Sequence, residues 1–176
     1  TFLALLFLFS NQSFSKSYEN RGLFCKTIEN EPLLDINRID VRYTPFIFGH
    51  RCVVKNNHNF DCKKTSSKSK YSVFYLKINK YNKLVLTSHN TNYITNTEYI
   101  FLGSKSKPKH LDNKIVINLK TLEQGLLKYR DDIKSPFKKF ANCKIVNSID
   151  SMKTLIARWV NDGEEIIKNN FEENKI

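Results

Sequence analysis

The chain has 176 residues, a length that suits one domain with its own core. With 40% hydrophobic and 12% aromatic residues it is too apolar for a disordered tail. Its formal net charge of +12 favours anionic partners such as nucleic acid, acidic glycans or lipid headgroups. Lysine and asparagine supply 23 and 20 residues, a bias typical of AT-rich genomes, so a solvated lysine coat without function is the competing interpretation.

The first residues of the chain resemble a secretory signal. Residues 2–9 are apolar, small polar residues follow, and the first cation is Lys16. The apolar run is shorter than the roughly 20 residues that a membrane span needs. We therefore predict a signal at 1–15, whose charged start lies outside this sequence, a flexible leader at 16–22 and one secreted α+β domain at 23–176; a buried N-terminal strand or helix is the alternative. No second apolar segment of spanning length occurs, so we expect no integral membrane association.

The elements of the first half alternate between short β-prone runs and polar stretches. A short strand is predicted at 23–25, and acidic residues before a proline indicate the start of a helix over 31–43. Two β-prone runs, 46–48 and 52–54, follow on either side of a glycine, and residues 56–70 are predicted to form a polar loop.

The middle of the chain contains the clearest β signal. Residues 71–78 and 84–88 are β-branched and aromatic, and the short asparagine-rich segment between them predicts a hairpin. Two more strands are predicted at 99–102 and 114–119, and a helix at 121–133 from the spacing of its leucines.

The C-terminal part is predicted to hold a last strand and a long helix. The strand covers 141–146, and the helix covers 149–171 with an interruption at Asp162-Gly163. We expect the apolar stripe of this helix to pack on the sheet. The predicted fold class is therefore α+β, an antiparallel sheet of about four to six strands with helices packed on one face and disulfides as staples.

Four cysteines lie in the predicted mature region. An even number in a secreted chain argues for two disulfides, and of the three connectivities we favour Cys25–Cys143 with Cys52–Cys62. On the chain-entropy estimate the long loop is worth about 4–5 kcal/mol and the short loop about 3 kcal/mol. A structural zinc site is the alternative, although no pair has the short spacing that such sites prefer.

The histidines are the candidates for catalysis. A secreted ribonuclease needs a base, an acid and a cationic clamp for the phosphate. His50, His58, His89 and His110 are available, with Glu98 as a further base, but none lies in a recognisable catalytic context. We assign no catalytic residue, metal ligand or cofactor, because neither paired-histidine metal motifs nor phosphate loops occur.

Two lysine- and serine-rich loops, 63–70 and 104–110, are the better candidates for binding. Lysines attract phosphates irrespective of sequence, and the aromatic residues of the neighbouring strands could stack bases. The competing interpretation places those aromatics in the core. The candidate binding residues are Lys63, Lys64, Lys68, Lys70, Lys105, Lys107, Lys109 and His110.

The layout of the chain resembles a known group of secreted proteins. An aromatic residue directly before an early cysteine (Phe24-Cys25), a helix, several short strands and a late cysteine (Cys143) are similar to the ribonuclease-like effectors of powdery mildew fungi. The resemblance implies a helix packed on an antiparallel sheet, a disulfide between the ends of the domain, and a fold kept without its catalytic residues.

Together these features predict a secreted, monomeric, non-catalytic effector-like protein from a pathogen. We expect it to bind a host macromolecule, either protein or RNA, outside the cell or after delivery into a host cell. An active secreted ribonuclease and a surface or adhesion protein held by charge are the alternatives.

Overall fold

A computed structural model describes residues 21–28, 39–40, 42–67, 69–104, 113–130, 133–134 and 136–173. The predicted signal at 1–15 and the leader up to residue 20 lie outside these ranges. Gly22 does not belong to a leader, because it is the first residue of the first strand.

The described chain consists of twelve strands and one long helix. The strands are Gly22–Thr27 (β1), Ile39–Asp40 (β2), Tyr43–Phe48 (β3), His50–Asn56 (β4), Asn59–Lys64 (β5), Lys70–Ile78 (β6), Leu84–Thr95 (β7), Tyr99–Leu102 (β8), Asn113–Asn118 (β9), Glu123–Arg130 (β10), Ile133–Lys134 (β11) and Lys138–Val146 (β12), and the helix is Ile149–Glu173 (α1).

Eight antiparallel strands close into a barrel. Their order is β10-β12-β1-β3-β6-β7-β8-β9, and β9 pairs again with β10. The short strands β2 and β11 pair with β6 and β10, and β4 with β5 forms a separate two-stranded ribbon. The predicted α+β class is therefore wrong: the sheet has more than six strands and closes on itself, and a single described helix lies outside it.

Both helices predicted ahead of the C-terminal one are contradicted in the described residues. The segment 31–43 contains β2 and the first residue of β3. Its residues 31–38 and 41 lie outside the residues that the structure describes. The segment 121–133 contains β10 and the start of β11. Its register shifts between Gln124 and Gly125, and both residues are buried, so the two-residue alternation of the strand breaks there and gives no clear β signal.

The polar loop predicted at 56–70 is also wrong, because its central residues Asn59–Lys64 form strand β5 and its two ends belong to β4 and β6. Phe60 is buried and Cys62 half-buried, while Asn59, Asp61 and Lys63 point to solvent. This is the alternation of a strand with one face buried. The outward residues of β5 are all polar, so the segment reads as a polar loop in the sequence.

Helix α1 is confirmed, but the predicted interruption at Asp162-Gly163 is not present. Gly163 is buried within the helix, and a Cβ atom there would lie 2.8 Å from Leu84 Cδ2. The glycine therefore serves close packing rather than termination. The apolar stripe packs on the outer face of the barrel, where its buried members are Met152, Ile156, Trp159, Val160 and Ile167.

A larger residue at position 163 should push the helix off the barrel. We expect Gly163→Val to lower the free energy of unfolding by about 1–3 kcal/mol, the usual range for overpacking. Asn161→Ala, at an exposed position of the same helix, should change it by less than about 0.5 kcal/mol. Urea denaturation of both variants checks the difference, and equal stability of the two would contradict the close contact.

The interior of the barrel is filled with aromatic and aliphatic side chains. Phe46, Phe48, Tyr71 and Tyr93 pack against one another with ring centroids 5.0–6.4 Å apart. Burial raises the pKa of Tyr71, and burial likewise raises the pKa of Tyr75. Both phenols therefore favour the neutral form in the folded protein.

Both favoured disulfides are confirmed. Cys25–Cys143 joins β1 to β12 at directly paired positions, and Cys52–Cys62 does the same for β4 and β5. The zinc alternative is therefore wrong for these cysteines. Two disulfides are compatible with an extracellular protein. Within the described part of the chain, no helix has both the length and the apolar character needed to cross a membrane.

Candidate functional site

The structure describes three of the eight predicted binding residues. Lys63 and Lys64 are exposed on β5, and Lys70 is half-buried at the start of β6. The remaining five lie outside the described residues: Lys68, Lys105, Lys107, Lys109 and His110. The prediction that the two lysine-rich loops bind a partner therefore stays a prediction, and of its residues the structure places Lys63 directly opposite another basic residue, Arg51.

The ribbon formed by β4 and β5 is fastened to the barrel through Cys52. The backbone N–H of Cys52 donates to Ser72 Oγ at 2.8 Å and to Asn90 Oδ1 at 3.1 Å. Its carbonyl oxygen accepts from Ser88 Oγ at 3.0 Å and Asn90 Nδ2 at 3.2 Å. Polar side chains on the outer face of β6 and β7 thus fix the ribbon in place.

A second attachment is made by Asn57 in the turn of the ribbon. Its Nδ2 donates to Leu84 O at 2.8 Å, and its Oδ1 accepts from the Leu86 N–H at 2.9 Å. One amide side chain therefore satisfies both a donor and an acceptor along the edge of β7.

The ribbon lies along one flank of α1. Asn57 Nδ2 also donates to Glu164 Oε1 at 3.0 Å, and Lys153 Nζ lies 5.6 Å from the centre of the Phe60 ring. The side chains of Lys153 and Glu164 in α1 therefore both contact the ribbon.

The outer face of the ribbon is basic. Arg51 stands directly opposite Lys63, and both are exposed. Val53, the next outward residue of β4, is 49% exposed and pairs with Asp61. Lys55 is paired with Asp61 at 3.7 Å, and Asp61 is the single carboxylate of the ribbon.

A groove of about 320 Å³ lies on the opposite flank of α1, between the helix and strands β1, β3 and β12. Its floor is aromatic: the Phe24 and Tyr43 rings lie 5.0 Å apart, and Tyr43 meets Trp159 edge-on at 6.2 Å. The lining residues are Phe24, Lys26, Tyr43, Asn142, Cys143, Lys144, Leu155, Arg158, Trp159 and Asp162.

Three exposed cations surround this groove. Lys26 comes from β1, Lys144 from β12 and Arg158 from α1. Lys144 is paired with Phe24 across the strands, and its Nζ lies 5.6 Å from the centre of that ring. None of the three cations forms a salt bridge with a carboxylate of the described residues. The groove therefore combines unpaired positive charge with an apolar floor.

Sequence reasoning missed the groove, although one signal pointed to it. Cys25 and Cys143 were expected to be bridged, and a bridge between antiparallel strands brings the neighbouring residues together as well. Phe24, Lys26 and Lys144 are these neighbours. The contribution of α1 could not be anticipated, because nothing in the sequence places the helix beside this pair of strands.

The predicted catalytic candidates do not converge in the described structure. His50 is buried, with Nδ1 3.1 Å from the Phe48 carbonyl oxygen, whereas His58 and His89 are exposed. Among the described residues, no three histidine, cysteine or acidic side chains come close enough to hold a metal ion. His110 lies outside the described ranges.

Comparisons of the chain with protein-family models, with curated proteins and with solved structures found no match.

Proposed function

We propose that this chain is a secreted, non-catalytic, effector-like binding protein whose partner is single-stranded RNA of a host. The groove beside α1 carries this proposal, because it places three cations that form no salt bridge with a described carboxylate around an aromatic floor. Of the two partners that the sequence leaves open, RNA offers both the negative charge and the planar apolar groups that such a groove accommodates.

The cations match the backbone of a nucleic acid. Lys26, Lys144 and Arg158 are exposed and free of salt bridges with described residues, so binding a phosphate breaks no existing ion pair. Such contacts release counterions and account for most sequence-independent affinity. The net charge of +12 adds long-range attraction for the same partner.

The floor matches a base. Aromatic side chains supply stacking surfaces that tolerate any base, because every base has a π-face. The half-buried Tyr43 offers part of its ring to the groove, and Asp162 at the rim can accept hydrogen bonds from an exocyclic amino group. A volume of about 320 Å³ lies at the lower end of small-ligand pockets, which suits one nucleotide of a longer strand.

The groove supplies its own reporter. Trp159 is the single tryptophan of the chain and lines the groove, so its fluorescence should change in a saturable manner when a single-stranded oligoribonucleotide binds. For an oligoribonucleotide short enough to occupy only the groove, three phosphate contacts predict a slope of about −2 for the logarithm of the association constant against the logarithm of salt concentration. Fluorescence titrations at several salt concentrations measure both quantities, and the RNA should remain uncut throughout.

The matched variants separate the groove from general charge. A triple variant, Lys26→Gln, Lys144→Gln and Arg158→Gln, should bring the slope close to zero and weaken binding at low salt by about tenfold or more. A control triple at the β6–β7 hairpin, Lys77→Gln, Lys80→Gln and Lys83→Gln, removes the same charge from exposed positions and should change little. Equal loss in both would contradict the proposal and favour adhesion by charge.

Two other outcomes would also overturn the proposal. Cleavage of the RNA would favour the alternative of an active ribonuclease. A fluorescence change with an acidic peptide but with no oligoribonucleotide would favour a protein partner.

A further inference from the structure

We propose that Arg51 and Lys63 form a second phosphate-binding site on the ribbon, so that one RNA strand crosses α1 and contacts both of its flanks. This inference rests on the proposed function, since it concerns the same partner. It extends the binding surface from one nucleotide in the groove to a longer single strand.

The first argument is the arrangement of the two cations. Like charges directly opposite each other on neighbouring strands destabilise the pair. Arg51 and Lys63 occupy such positions, and the single carboxylate of the ribbon, Asp61, is paired with Lys55. The folded chain therefore keeps an arrangement that costs stability, and an anionic group placed between the two side chains would remove the cost.

The second argument is rigidity. The Cys52–Cys62 disulfide lies one position further along the ribbon from the Arg51–Lys63 pair. The Cys52 N–H donates to Ser72 Oγ, and the Cys52 carbonyl oxygen accepts from Ser88 and Asn90, so the same point is held on the barrel. A ligand that binds two side chains on such a fixed base loses little conformational freedom in the backbone.

The third argument is the position of the two sites relative to the helix. The groove lies along one flank of α1 and the ribbon along the other, so a helix about 10–12 Å wide separates them. Lys153, which lies beside Phe60 of the ribbon, and the uncharged Thr154 occupy the N-terminal half of this helix. An RNA strand that crosses α1 at Lys153 and Thr154 avoids the carboxylates of Glu164 and Glu165 in the C-terminal half of the helix.

Oligonucleotide length separates this inference from the proposed function. A dinucleotide can occupy only the groove, whereas a twelve-nucleotide strand can reach both sites, and linking two contacts should raise its affinity at least about tenfold. The variant Arg51→Gln with Lys63→Gln should lose this gain in affinity while its affinity for the dinucleotide stays unchanged. Trp159 fluorescence titrations with both oligonucleotides measure the effect.

The control variant, Lys77→Gln with Lys83→Gln, removes the same charge at the β6–β7 hairpin. It should keep the higher affinity for the twelve-nucleotide strand. Chemical denaturation provides an independent readout: because a repulsive pair is removed, the ribbon variant should be at least as stable as the unmodified chain. If the ribbon variant keeps the full gain with the longer strand, the second site is refuted and the groove stands. If neither oligonucleotide changes Trp159 fluorescence, the proposed function itself is refuted.

Discussion

Replacing Cys25 and Cys143 together by alanine is expected to lower the free energy of unfolding by about 4–5 kcal/mol. The two cysteines are 118 residues apart, and a cross-link over a loop of that length removes much of the entropy of the unfolded chain. Domains of this kind are typically stable by about 5–15 kcal/mol, so the variant should lie near its unfolding transition at ambient temperature.

The second disulfide is the natural control for this experiment. Cys52 and Cys62 are 10 residues apart, and the same reasoning gives a loss of about 3 kcal/mol for the pair of alanine substitutions. Urea denaturation monitored by circular dichroism compares the two variants. A larger loss for the ribbon pair would show that the β1–β12 junction holds the barrel together without help from its disulfide.

Phe48→Ala is expected to cost about 3–5 kcal/mol, the usual range for a large aromatic residue removed from a core. The side chain is fully buried inside the barrel, where its ring lies 5.0 Å from Tyr93 and 5.8 Å from Tyr71. These contacts join β3 to β6 and β7, so the substitution leaves a cavity among three strands. Thermal and urea unfolding would measure the loss.

Tyr81→Ala provides the matched control, because this tyrosine is 69% exposed in the β6–β7 turn. Surface substitutions of this kind change stability by less than about 0.5 kcal/mol. Comparable losses for the two aromatic residues would contradict the assignment of Phe48 to the interior of a closed barrel.

Much of the local structure could be predicted from the sequence, because it depends on neighbouring residues. The hairpin of β6 and β7 has β-branched runs around a short turn, and α1 has an apolar stripe at helical spacing. The pairing Cys25–Cys143 was also correct, as the loop-entropy argument favoured it. Each of these signals is contained in a short segment or in a count of cysteines.

The closure of the barrel could not be predicted in the same way. It depends on the pairing of β9 with β10 and of β10 with β12, and the sequence pattern of β10 predicts a helix. The irregular register at Gln124 and Gly125 hides its alternation, and the polar outer residues of β5 hide that of the ribbon. A local pattern does not show which distant segment a strand will meet.

The residues of the candidate site likewise fall into those that a local pattern predicts and those that only the fold brings together. The charge of Lys63 and Lys64 predicts that they bind a partner; both are exposed, and Lys63 lies opposite Arg51 on the basic outer face of the ribbon. The groove residues Lys26, Lys144 and Arg158 are far apart in the sequence and were not selected. They meet because two strands pair beside a disulfide and a helix lies across them.

The position of β1 in the barrel bears on how the protein is made. This early strand lies between β3 and β12, so one of its two neighbours is the last strand of the chain. While the ribosome is still synthesising the protein, β1 can pair on one side only, and the cylinder stays open until residue 146 has emerged. Assembly must therefore be completed after translation of this region, and the aromatic lining remains accessible to chaperones until then.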